Sequence, residues 1–321
     1  MMEVPEPKLI FINDKPANGI ITDFRTTRVD EYFRSMELSS NSIRAYRRSL
    51  TRFTKWTEKA WHHLKHQDLD RYKQHLKELE LSNATICQEL AALKSFFNWL
   101  TIKDYISKDP TLTLTKPKLK PPSPQELSES EVKSLFAALK KRGWHRTRDT
   151  ALLRVLEHGL RASEVTALNI KDYDGKRLHI VEAKRDSVGF VPLLSEARVA
   201  IDTYLQWREA EGLDVEETSA LFLSHSNKSK GHRLTYDGLY GIVKGLVEIA
   251  GLEKCHPHRL RHTLATNLAL KGMDSMLARR ITRHRSEASY QRYSERGLDL
   301  KAEEQFWQLF DSPNIESNLQ P

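Results

Sequence analysis

Two cysteines, Cys87 and Cys255, are all that 321 residues hold, too few for a disulfide framework and in keeping with a reducing cytoplasm. No apolar run nears the roughly 20 residues that a bilayer-spanning helix needs, so a membrane protein is not expected. The opening residues MMEVPEPKLIF place acids and prolines where a secretion signal would carry a basic start and an apolar core. Missing too are a Gly-rich phosphate loop, an acidic cluster of the kind that holds a catalytic metal, any internal repeat and any low-complexity tract. The expectation is chemistry with no cofactor and no metal.

Against those gaps, 39% hydrophobic and 29% charged residues supply enough apolar material for packed cores, which sets aside a collagen-like or mainly disordered chain. The length suits about two domains. Charge is the first positive clue. The net charge is +8, and it is unevenly spread. Residues 1–120 carry 21 basic and 15 acidic side chains, residues 121–294 carry 28 and 22, and the last 27 carry two and six. Two basic bodies ahead of an acidic tail suggest a polyanion gripped from two sides, although solvated basic surfaces are common.

Residues 1–27 read as an irregular arm. Helical periodicity follows: Ile43, Tyr46, Leu50, Phe53 and Trp56 recur at three- and four-residue steps, as do Leu69, Tyr72, Leu76 and Leu79, then Ile86, Leu90, Leu93, Phe97 and Leu100. With one helix around 29–36, four helices make an all-helical domain over 28–116. The run KPKLKPPSPQ denies the backbone helical hydrogen bonds, so 117–127 is expected to be a linker. Ser128-Glu129-Ser130-Glu131 is a capping box that opens the next helix.

The second domain, 128–311, reads as mixed, with residues 312–321 as a tail. Helices are expected over 149–157, from about 162, and over 196–211, 236–250, 259–270 and 275–281. Two short strands, 177–181 and 189–194, alternate and face each other across a turn. The fold class is therefore mainly α with a small β-hairpin, α+β overall.

Arg44, Arg48, Arg52 and Lys55 fall at steps of four, four and three on one helix, beside its apolar stripe. Such a face fits along a DNA groove, with arginines on phosphates or guanine edges; a solvated face is the plain alternative.

Four segments of the second domain carry chemistry. In His158-Gly159-Leu160-Arg161-Ala162-Ser163-Glu164 an arginine follows a glycine at a helix junction, where Glu164 can orient it; alone, such a junction is usually structural. Lys184 sits at the tip of the hairpin turn, and a turn lysine is normally just solvated. In His256-Pro257-His258-Arg259-Leu260-Arg261-His262, His258 and Arg261 share one face of a helix start and can converge on one anion. The His258/His262 spacing with Cys255 nearby also admits zinc, but no HExxH glutamate or second Cys/His pair accompanies it. Finally Arg283-His284 is followed, nine residues after the histidine, by Tyr293, with Tyr290 as a second hydroxyl.

In this order the segments resemble the tyrosine recombinase (phage integrase) family, which includes Xer-type recombinases and mobile-element integrases. Gly159-Leu160-Arg161-Ala162-Ser163-Glu164 matches the first box, the Lys184 turn running into Val191-Pro192-Leu193 matches the lysine turn, Pro257 to Thr263 is nearly the second box, and His284 to Tyr293 has the family spacing. The likeness covers about 28–311, the first domain resembling the helical core-binding (SAM-like) domain and the second the catalytic domain. Two departures stand out: the family usually has Gly where this chain has Arg283, and the charged stretch up to Tyr293 is atypical. They incline the reading toward a mobile-element enzyme.

The resemblance implies a site-specific recombinase working through a 3′-phosphotyrosyl link, for integration, excision or resolution of DNA elements. Arg161 and Arg261 would hold the non-bridging oxygens, Tyr293 would attack, His258 would take its proton, Lys184 would protonate the leaving 5′ oxygen, and His284 would donate to the phosphate. It implies double-stranded DNA sites as partners, a homotetramer built through a C-terminal helix bearing Phe306, Trp307, Leu309 and Phe310, alone or with an accessory or partner recombinase, and residence in the cytoplasm on the nucleoid. The alternative is a catalytically silent, sequence-specific DNA-binding relative.

Overall fold

The computed structural model describes residues 24–119, 123–181, 188–253 and 255–310. The chain divides into two compact units between residues 120 and 121.

The first unit is four helices: α1 (Phe24–Ser35), α2 (Ser40–Trp56), α3 (His66–Glu78) and α4 (Asn83–Ile102). Ser39 and Ser82 cap α2 and α4, each hydroxyl accepting from the backbone N–H three residues on. The apolar stripes meet in one core, where Leu50, Phe53, Leu69, Tyr72, Leu76, Leu90, Leu93, Phe96 and Phe97 lose all contact with solvent. Leu79 departs from its expected stripe. The helix ends at Glu78, and Glu80 turns left-handed at φ +54°, so Leu79 is left exposed.

The second unit holds α5 (Glu129–Ala138), α6 (Arg146–Glu157), α7 (Ala162–Ala167), strands β1 (Arg177–Ile180) and β2 (Gly189–Pro192), then α8 (Ser195–Ala210), α9 (Tyr236–Ile249), α10 (Pro257–Leu270), α11 (Ser275–Thr282) and α12 (Glu287–Phe310). The fold is mainly helical with one small sheet, as the sequence implies. Ser128 and Glu131 close the capping box of α5 reciprocally: Glu131 N donates to Ser128 Oγ and Ser128 N to Glu131 Oε2. The strands pair antiparallel with Leu178 opposite Val191, and Leu178, Ile180 and Val191 point inward onto the core. Helix α6 runs through that core, burying Ala151, Leu152, Leu153, Val155 and Leu156. No helix among the described residues is long and apolar enough to cross a membrane.

Part of the expected linker is fastened down. Leu127 N donates to Thr263 Oγ1, Gln125 N to His262 Nδ1, and the Arg259 guanidinium to the carbonyls of Gln125 and Glu126. Residues 125–127 thus lie along α10, because extended backbone ahead of a helix must still satisfy its polar groups when it is covered.

Candidate active site

The first box is built around a left-handed turn that favours glycine. Gly159 has φ +79°, and a Cβ there would stand 2.7 Å from Leu264 Cδ2. The turn ends α6 and sets Arg161 as the N-cap of α7. Glu164, at the third position of that short helix, accepts from Arg161 N at 2.8 Å and from Arg161 Nη1 at 2.6 Å. His158 ties α6 to the start of α8: its Nδ1 meets Arg154 O, and Leu194 N, at the α8 N-cap, donates to its Nε2.

The second box opens α10, with Pro257 in its first turn. Arg261 is fully buried. It donates to Gly159 O, and its other terminal nitrogen to Thr282 O, so one guanidinium ties the first-box turn to the end of α11. Burial first, and then the neighbouring Arg161 and Arg283 charges, push Arg261 down to about 9, still charged at neutral pH. Three positions before it, His258 is exposed at the mouth of the site.

The third box joins α11 and α12. Asp274 caps α11, and Arg283 ends it in the left-handed region, φ 54° and ψ 44°. His284 Nδ1 lies 2.8 Å from Thr282 Oγ1. On α12, Tyr293 is enclosed: its ring stands edge-on to His262 with centroids 5.5 Å apart, and 5.3 Å from His284. Arg292 Nη2 donates to the Tyr293 hydroxyl at 2.8 Å. Tyr290 points elsewhere, into the core, with its hydroxyl on Ala265 O. One turn beyond Tyr293, Gly297 lets α12 close on α10; a Cβ there would sit 2.8 Å from Ala269 Cβ.

The electrostatics point to an anion. Crowding takes water from His258, and Arg261, His256, Arg161 and Arg292 add positive charge, pushing it down to about 4. His284 is likewise pushed to about 3 by burial, Arg261 and Arg161, and His262 to about 3 by burial and its charged neighbours. At neutral pH these imidazoles are neutral among guanidinium groups, and a bound anion would reverse the field that keeps them so.

The structure therefore gathers five of the expected residues: Arg261 and His284 both bond Thr282, His284 faces Tyr293, His258 meets the His262 ring that also faces Tyr293, and Arg161 is near enough for its charge to act on Arg261 and His258. Lys184 lies outside the described residues. In the first unit Arg44, Arg48 and Lys55 are exposed on α2, but Arg52 is turned to Glu89 at 2.8 Å. Glu89 is almost wholly buried and requires a cation, so Arg52 is not a free face member as the helical spacing suggested. Arg283 and Arg292 were not among the expected site residues. Arg283 was visible only as an odd residue ahead of His284, and nothing in the spacing marked Arg292. Among the described residues no three His, Cys, Asp or Glu side chains converge as a metal site.

Comparison with known proteins agrees with this architecture. Residues 125–297 match the phage integrase family, and residues 29–103 match the phage integrase N-terminal SAM-like domain. The chain belongs to the phage integrase family and is a tyrosine recombinase by class. It is similar to tyrosine recombinase XerC of Roseiflexus castenholzii, 32% identical over 269 residues that cover 80% of this chain and 83% of that one. It is also similar to tyrosine recombinase XerD of Oceanobacillus iheyensis, at 30% identity over 80% of this chain and 88% of that one. Among solved structures, the XerH site-specific recombinase bound to a palindromic difH substrate shares the fold, with a TM-score of 0.70 and 22% identity over 88% of this chain and 85% of that one. The Tn1549 transposon integrase in complex with circular intermediate DNA also shares it, with a TM-score of 0.65 and 20% identity over 84% and 94%.

Proposed function

We propose that the chain cuts and rejoins double-stranded DNA at a specific site, using Tyr293 as nucleophile. The observation that carries this reading is the setting of Tyr293: its hydroxyl accepts from Arg292 and its ring lies between His262 and His284, on a framework that Arg261 ties to the Arg161 turn. A phosphodiester repels nucleophiles, so fixed cations aimed at its oxygens are the largest help a protein can give. Arg161 and Arg261 would take the two non-bridging oxygens, as guanidinium forks do. The Tyr293 oxygen attacks phosphorus and its proton passes to neutral His258. The bond to the 5′ oxygen breaks, and Lys184 supplies that oxygen with a proton. Thr282 Oγ1 donates to Ala278 O, so His284 Nδ1 donates to Thr282 Oγ1, and His284 Nε2 would donate to the phosphate once the bound anion has drawn a proton onto it. The 5′ hydroxyl of a partner strand then attacks the 3′-phosphotyrosyl link, which conserves the bond energy, so no nucleotide is consumed.

With no exposed surface in this state, Tyr293 must be uncovered when DNA binds, and Arg292 must give up its hydroxyl or carry it to the phosphate. Arg44, Arg48 and Lys55 on α2 are the cations offered to DNA by the first unit. Phe306, Trp307, Leu309 and Phe310, all more than half exposed at the end of α12, suit a contact with a neighbouring protomer in a homotetramer on DNA. Residues 28–116, 117–127 and 128–311 would then act as core-binding domain, linker and catalytic domain, on the nucleoid.

The test is trapping on nicked suicide substrates cut from the DNA flanking the gene, read on denaturing gels. Wild type should give a covalent protein–DNA band and Tyr293→Phe none. Tight binding with no adduct from wild type on any substrate would favour a silent DNA-binding relative instead.

A further inference from the structure

Arg283 occupies a place where an arginine should be costly twice. Its backbone is left-handed, φ 54°, which disfavours any residue with a Cβ. Its side chain is also buried, and a guanidinium out of water needs a full set of partners. Against these costs stands one long-range ion pair, Arg283 Nη2 donating to Glu164 Oε2 at 2.5 Å across 119 residues of sequence, with Nη1 donating to Ile281 O nearby. The other oxygen, Glu164 Oε1, holds Arg161 Nη1. The start of β2 runs over the stem, for a Cβ at Gly189 would stand 3.7 Å from Arg283 Cδ. Glu164 is itself buried; burial opposes its charge, yet Arg283 and then Arg161 hold its carboxyl below the usual range.

We propose that Arg283 is a positioning residue for DNA cleavage: from the turn just ahead of His284 it clamps one oxygen of Glu164, and Glu164 with its other oxygen fixes the Arg161 guanidinium. The clamp couples the first box to the third, so Arg161 and His284 are set on the phosphate together. With Arg283 gone, Oε2 keeps, among the described residues, the Arg161 backbone N–H, and the carboxylate loses its tie to the turn ahead of His284. This inference rests on the proposed role of Arg161 at a non-bridging oxygen.

The experiment compares wild type, R283Q, R283G and R161A in single-turnover cleavage of a nicked substrate with either a normal or a methylphosphonate linkage at the scissile position. R283Q keeps most of the side chain but not its charge. R283G keeps the left-handed turn at no strain, so a folded variant remains available. Each should bind DNA as wild type does and cleave the phosphodiester about 10- to 100-fold more slowly, the loss expected from a misplaced charge of about 1 Å. Replacing a charged oxygen by methyl removes what Arg161 neutralises, so the loss in R161A and the loss in the Arg283 variants should shrink together on the methylphosphonate. A folded Arg283 variant that cleaves at the wild-type rate, or that is equally slow on both linkages, overturns the positioning role. If wild type forms no adduct on either linkage, the recombinase function fails and the proposal falls with it.

Discussion

Replacing Gly297 by alanine sets two effects of known sign against each other. In the middle of α12, alanine improves helix propensity by about 1 kcal/mol. Its methyl, however, would lie 2.8 Å from Ala269 Cβ and 3.2 Å from both Ala269 C and Leu270 N. Carbon atoms in contact normally keep about 3.5–4.0 Å. Two of the three obstructing atoms are backbone of α10, which cannot rotate aside, so α12 must move outward by about 1 Å. Overpacking of this kind costs about 1–3 kcal/mol, leaving a net loss of about 0–2 kcal/mol after the propensity gain. Stability thus changes little, while function changes much. Tyr293 is four residues earlier on the same face of α12 and shifts with it, and a displacement of about 1 Å at a reacting atom costs about 100-fold in rate. Thermal melting and single-turnover adduct formation, run on the same preparation, separate the two outcomes. A Gly297→Ala protein that melts higher and forms adduct at the wild-type rate would refute the claim that this close crossing places the nucleophile.

Other perturbations have outcomes that differ in kind. Tyr290→Phe should retain adduct formation and lose about 1 kcal/mol of stability, since its hydroxyl donates to Ala265 O in the core; loss of the adduct would move the nucleophile to Tyr290. Arg44→Ala and Arg48→Ala should weaken DNA binding with stability intact, each lowering the slope of log K against log salt by about 1, and unchanged binding would remove α2 from the interface. Arg52→Ala should instead destabilise the first unit by about 1–3 kcal/mol, because it strands the buried Glu89 carboxylate, and a wild-type melting curve would contradict that. His258, His262 and His284 have folded values below their unfolded value of about 6.5, so the unfolded chain binds more protons in acid. Stability is therefore full above about pH 6.5 and falls as pH drops from there toward about 3, and protonating His262 also breaks the bond from Gln125 N. Urea titrations at pH 7.5 and 5 measure this, and equal midpoints would show that the three rings are charged in the native state.

What was legible in the sequence follows from range. Gly159, Arg161 and Glu164 could be read because a left-handed turn, an N-cap and a third-position carboxylate lie within one helical turn of each other. His258 and Arg261 could be read because three residues on a helix make one face. The apolar stripes of α2 to α4 could be read for the same reason. Arg52 misled because helical spacing reports a face but not what packs against it, and Glu89 comes from another helix. The length of α12 was hidden because its apolar residues follow no single stripe: Tyr290 and Tyr293 face inward, while Leu298, Phe306, Trp307, Leu309 and Phe310 face solvent. Arg283 is the most instructive residue. Sequence alone shows an arginine where the family usually has Gly, a departure from the pattern; the left-handed turn at that position is visible only in the structure. Its meaning depends on Glu164, 119 residues earlier, and a contact at that distance leaves no periodicity to find. A local rule is broken at a point where the tertiary structure supplies a buried partner, and in a family defined by its active site such a point is where this chain's own chemistry is to be sought.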